Sequence, residues 1–115
     1  MSIHLPEPIA NYFRCKADEN PTEAAGTFTP AAMVFDKGED REVFGQEAIH
    51  RWFIEQAATV KTTVDVVSLR EESGEFVVTT LVSGNFKGSP AEFEYRFTLR
   101  DGLIDRLIIE FVGFK

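Results

Sequence analysis

The spacing of apolar residues changes once along this chain, near Lys61, from a helical repeat to strict alternation. Val64, Val66 and Ser68 alternate with Asp65, Val67 and Leu69 until Glu72-Ser73-Gly74 breaks the run. Phe76 to Asn85 reads as a long strand rich in Val and Thr, and Gly84 to Pro90 as its turn. Phe93, Tyr95, Phe97 and Leu99 then share one face of a strand whose other face carries Glu92, Glu94, Arg96 and Thr98. Asp101-Gly102 is a strong two-residue hairpin signal, returning the chain through Leu103 to Phe111. Four consecutive antiparallel strands with a phenylalanine-rich face cannot bury that face alone, so whatever precedes them must cover it.

The preceding half has the elements to do so. Pro6 and Pro8 suit a first helical turn, and Ile9, Tyr12, Phe13 and Cys15 mark one side of a helix running to about Asp18. Asn20-Pro21-Thr22-Glu23 restarts a short helix through a cap and a capping-box glutamate, ending near Gly26-Thr27. Phe28-Thr29-Pro30 is expected to turn the chain into a short strand, Ala32 to Asp36. Lys37-Gly38-Glu39-Asp40 then reads as a polar turn into Glu42-Val43-Phe44. Gly45 frees the backbone for a third helix over Gln46–Thr59, with Ala48, Ile49, Trp52, Phe53 and Gln56 at helical spacing. The order predicts a single α+β domain over residues 1–115, with three N-terminal helices packed on a curved, mostly antiparallel sheet as a cone-shaped α+β barrel. Such a cone opens as a pocket where its apolar lining does not fill it.

Composition excludes several functions. With 19 acidic against 12 basic residues and a net charge of -7, with no basic cluster, neither nucleic acid nor an anionic membrane is an expected partner. No stretch approaches a membrane span, and the start carries no basic segment followed by an apolar run, so a soluble cytoplasmic protein is expected. Cys15 is the only cysteine, which rules out an internal disulfide and a thiolate metal cage. His4 and His50 are too far apart in sequence to suggest a metal site, and no metal or cofactor is expected.

The element order resembles the nuclear transport factor 2-like superfamily, and within it the small SnoaL-like and ketosteroid-isomerase-like proteins. The resemblance spans nearly the whole chain and rests on Phe28 to Asp36, Gly45-Gln46-Glu47-Ala48-Ile49, and Tyr95-Arg96-Phe97-Thr98-Leu99 with Gly102-Leu103-Ile104. It implies that Asp36 is a general base and Tyr12 an oxyanion donor, with Trp52, Phe53, Phe93, Tyr95, Phe35 and Phe13 lining the pocket. It also implies a homodimer through the outer sheet face. Two positions depart from the pattern: Phe93 and Phe53 stand where the isomerases have a protonated acid and a supporting tyrosine, which argues against steroid isomerase activity. Superfamily members include isomerases, dehydratases, cyclases, epoxide hydrolases and binding proteins, so the fold leaves function open.

Each candidate has a structural alternative. Asp36 can serve its own turn by accepting from Gly38 or Glu39, Tyr12 can be a core-edge aromatic, and Trp52 can simply pack. Glu94 and Arg96 could orient a water, as in epoxide-opening relatives, but alternation places them on the outer face. Two readings follow: a proton-transfer or hydrolytic enzyme acting on a small hydrophobic molecule, or a non-catalytic ligand-binding or dimeric interaction domain.

Overall fold

The computed structural model describes residues 4–59 and 62–114; Lys61, where the alternation begins, lies outside them. Helix α1 (Glu7–Ala17) buries Ile9, Tyr12 and Cys15, which lie on one side at helical spacing. Helix α2 (Pro21–Gly26) is capped by Asn20, whose side chain accepts the Glu23 N–H at 3.2 Å. Helix α3 (Gln46–Thr59) buries Ile49, Trp52 and Phe53. Its first residue fixes its position, because the Gln46 amide donates to the carbonyls of Ala25 and Phe28, both at 3.1 Å. Gly45 precedes it at φ +87, a left-handed conformation that costs glycine little. No helix among the described residues is long and apolar enough to cross a membrane.

Six strands form one sheet: β1 (Phe28–Asp36), β2 (Arg41–Phe44), β3 (Thr62–Glu72), β4 (Glu75–Gly84), β5 (Ala91–Arg100) and β6 (Leu103–Phe114). Their spatial order is β2-β1-β6-β5-β4-β3, antiparallel except where β1 runs parallel to β6. The α+β architecture read from the sequence is therefore present, with helices against a mostly antiparallel open sheet. Asp101 and Gly102 turn the last hairpin with φ of 52 and 79, as a turn with two left-handed central residues requires.

Three local expectations differ. Phe28-Thr29-Pro30 is the irregular opening of β1, not a turn before it. The β1–β6 register breaks between Phe28 and Met33, where Pro30 has no N–H to give the ladder. In β3, the register skips Val67 between Val66 and Ser68, so Leu69 joins Val64 and Val66 on the half-buried face in place of Ser68. Strand β6 continues beyond Phe111 to Phe114 and skips Val112, which brings Phe114 opposite Ala91.

Part of the space under the helices is filled by a plug of aromatic rings. Tyr12 is wholly buried among Phe13, Phe28, Phe53, Tyr95 and Phe97, with centroid separations of 5.1, 6.0, 5.7, 6.1 and 5.5 Å. All five pairs meet edge to face or tilted, the arrangement the ring quadrupole favours. Beyond Tyr95, at the end where β1 finishes at Asp36, the space stays open.

Candidate functional site

At that end lies a cavity of about 480 Å³, within the range of small-molecule sites. Its wall combines Trp52, Phe93, Tyr95 and Ile109 with Asp36 and Lys16, and Phe86, Phe111 and Phe114 also line it. Phe111 and Phe114 are 45% and 62% exposed, and ring contacts of 5.5 and 5.0 Å link Phe93 to Phe111 and Phe111 to Phe114. An apolar ligand would find an aromatic path inward from that rim.

Asp36 reaches the cavity because β1 alternates: Ala32, Val34 and Asp36 are buried, while Met33 and Phe35 are turned to the opposite face. Asp36 is 9% exposed. Burial raises its proton affinity, and the nearby Glu39 charge adds to that. Backbone N–H bonds from Glu39 and Gly38 and the charge of Lys16 act the other way. Asp36 thus serves its own turn and lines a cavity at the same time.

Lys16 was not among the residues singled out from the sequence. The available signal was its spacing, four positions after Tyr12 and hence on the same side of α1. Desolvation lowers its proton affinity, opposed by the Asp36 charge. It also lines a smaller cavity of about 110 Å³ between the helices, together with Cys15, Phe53 and Gln56.

Other expected residues are distributed differently. Tyr12 is not part of the cavity wall; its ring lies one layer behind, against Tyr95 and Phe53, and its hydroxyl has no hydrogen-bond partner among the described residues. Burial, then Tyr95, then Asp36 push its ionisation well above the usual phenol range, so it stays protonated. Trp52 does line the cavity, and its indole nitrogen is likewise buried without a partner among those residues. Phe53 faces the smaller cavity, and Phe13 belongs to the aromatic plug. Phe35 is not at the pocket: it stands opposite Ile108 on the outer face, because neighbours on a strand point to opposite sides.

Glu94 and Arg96 are on the outer face as alternation required. Arg96 lies 3.5 Å from each of Glu94, Glu72 and Glu110 and 3.8 Å from Glu75, and Arg70 adds a 3.3 Å contact to Glu94. This is a surface ion network laid over the buried Val77 and Ile108. Among the described residues no group of three or more His, Cys, Asp or Glu is placed to hold a metal ion.

No family model matches the sequence, and no functionally curated protein does. Solved structures do. A candidate polyketide cyclase from Sinorhizobium meliloti is 31% identical, with a TM-score of 0.84 over 92% of this chain and 95% of its own. A protein from Catenulispora acidiphila with a ketosteroid isomerase-like fold, solved with trimethylamine, scores 0.82 at 16% identity over 92% of this chain and 85% of its own. A nuclear transport factor 2-like protein of unknown function from Cytophaga hutchinsonii scores 0.73 at 16% identity, covering 97% and 93%. The last two bear on fold alone.

Proposed function

This chain belongs to the nuclear transport factor 2-like superfamily, and on that premise we propose that it is a proton-transfer enzyme acting on a small hydrophobic carbonyl compound, with Asp36 as general base. The observation that carries the reading is the Asp36 carboxylate, buried in the wall of a cavity rich in aromatic rings with its proton affinity raised by that burial. A base is most effective when its proton affinity approaches the working pH, and desolvation moves Asp36 in that direction. The cyclase name borne by the Sinorhizobium meliloti relative fits the chemistry, since aldol ring closure begins with removal of a proton beside a carbonyl. Phe53 and Phe93 supply no polar hydrogen to the developing oxyanion, which argues against a steroid isomerase mechanism.

The test is exchange of the α-protons of 2-tetralone for deuterium, followed by proton NMR. The protein should accelerate exchange, and Asp36→Asn should remove about two to four powers of ten of that acceleration. Undiminished exchange in Asp36→Asn would sink the assignment. Failure of the wild type to accelerate exchange, while still being thermally stabilised by the ketone, would favour a second reading: a non-catalytic binding domain. The two backbone N–H bonds that give Asp36 a structural task favour that alternative.

The same proposal places the protein in the cytoplasm as a homodimer through the outer sheet face. The support for such an interface is the mixture, on this face, of apolar Phe35, Val77 and Ile108 with the paired charges around Arg96, a composition that suits a mixed polar interface. Sedimentation equilibrium giving the monomer mass at micromolar concentration would remove it.

A further inference from the structure

Removing a proton beside a carbonyl leaves an electron pair that something must accept, and the oxyanion donors that the isomerase resemblance implies are not in the cavity wall. The Tyr12 hydroxyl is one layer behind the wall, and phenyl rings occupy positions 53 and 93. The wall does contain a primary amine. Among the described residues two lysines reach it, Lys87 from an exposed turn and Lys16 from the half-buried side of α1. The Lys16 and Asp36 charges act on each other across that wall.

We propose that Lys16 is a covalent catalytic residue that condenses with an aldehyde or ketone ligand to form an imine, with Asp36 as its proton shuttle. The inference rests on the proton-transfer reading and names the substrate class, an apolar aldehyde or ketone with a hydrogen on the neighbouring carbon. The Nζ lone pair of the neutral amine adds to the carbonyl carbon, and one N–H proton passes to the oxygen to give a carbinolamine. Asp36 in its acid form protonates the hydroxyl, the C–O bond breaks, water leaves, and a protonated C=N bond remains. The Asp36 carboxylate then takes the neighbouring C–H proton. That bond's electrons form C=C, and the C=N π pair moves onto nitrogen as an enamine. Reprotonation and hydrolysis by water return the ligand and the amine, so no oxidant or reductant is consumed. The positively charged imine nitrogen thus takes up the electron pair that an isomerase-type oxyanion donor would otherwise stabilise. Desolvation of Lys16, which favours its neutral nucleophilic form, supports the same arrangement.

The test incubates the full chain with 2-naphthaldehyde and sodium cyanoborohydride, which reduces an imine to a stable secondary amine, and locates the adduct by peptide mass spectrometry. The expected result is hydride-dependent labelling at Lys16 in preference to the exposed Lys37 and Lys87, lost in Lys16→Met and slowed in Asp36→Asn. Adduct spread evenly over the lysines, or none at all, overturns the proposal using the wild-type protein alone, so it does not depend on how the variant folds. Exchange of 2-tetralone protons separates the two ideas. Wild-type rates in a folded Lys16→Met protein would overturn the imine and leave Asp36 as base, exchange lost together with the adduct supports both, and no exchange in the wild type removes both.

Discussion

Tyr12→Phe should make this protein more stable, although it deletes a buried polar group. The Tyr12 side chain is 0% exposed and its hydroxyl finds no partner among the described residues. In the unfolded chain water satisfies that hydroxyl, so folding strips it of hydrogen bonds without replacement, at a cost of about 1–3 kcal/mol. Phenylalanine keeps the ring that packs on Phe13, Phe28, Phe53, Tyr95 and Phe97, and loses only the atom that carries the penalty. Unfolding entropy of about 2.1 cal/mol/K per residue, taken over the 115 residues, makes 1 kcal/mol worth about 4 °C. The expected gain in Tm is therefore about 4–12 °C. Urea unfolding followed by the fluorescence of Trp52, the only tryptophan, measures it directly: the midpoint should rise with the slope unchanged. A lower midpoint would refute the reasoning, because it would mean that the hydroxyl is hydrogen-bonded in the native protein.

Asp36→Asn should stabilise the fold at neutral pH and lose that advantage in acid. Because the folded-state pKa of Asp36 is raised, its favourable contribution is present below the unfolded value and is lost as pH rises through the folded one, so calorimetry at pH 3 and pH 7 should show the gain only at pH 7. Gln46→Ala removes the amide that bridges the Ala25 and Phe28 carbonyls and should lower stability by about 1–3 kcal/mol in denaturant titrations; no change would mean that α3 is held by its buried face alone. Gly88→Ala must hold a left-handed φ of +92 and bring a Cβ within 2.5 Å of an atom of the Phe114 ring. Its cost should be at least about 1–2 kcal/mol from the backbone alone, read as a lower urea midpoint.

The fold was legible because its signals are local and agree with one another. The alternation of Phe93, Tyr95 and Phe97 against Glu94 and Arg96, the Asp101-Gly102 turn and the Asn20 cap each specify one structure on their own. The site was only half legible. The family resemblance pointed to Asp36 at the end of its strand, but which ring lines a cavity and which fills a plug depends on layers contributed by distant segments. Phe35 was misplaced because adjacency to Asp36 in sequence means opposition in a strand. Phe111 and Phe114 come to share the mouth only through the irregularity at Val112, which no period-two pattern reveals. Lys16 went unnoticed because the last turn of a helix is also where a lysine serves the helix dipole and needs no other explanation.

The polar groups that folding leaves poorly satisfied are not scattered. Asp36 is buried with raised proton affinity, Lys16 is desolvated, and the Tyr12 hydroxyl and Trp52 indole lack partners among the described residues. Asp36, Lys16 and Trp52 share one cavity wall, and Tyr12 lies a layer behind Tyr95 in that wall. Charged groups on the outer sheet face behave differently: Arg70 and Arg96 are tied into ion pairs. A sequence selected for stability alone would place phenylalanine at position 12 and an amide or apolar residue at position 36, both compatible with the observed backbone. Retaining Asp36, Lys16 and Trp52 on one cavity wall is the pattern expected where stability has been given up for chemistry. It predicts that stabilising substitutions in that wall, Asp36→Asn first among them, will be those that slow deuterium exchange, whereas stabilising substitutions on the outer sheet face will leave exchange at the wild-type rate.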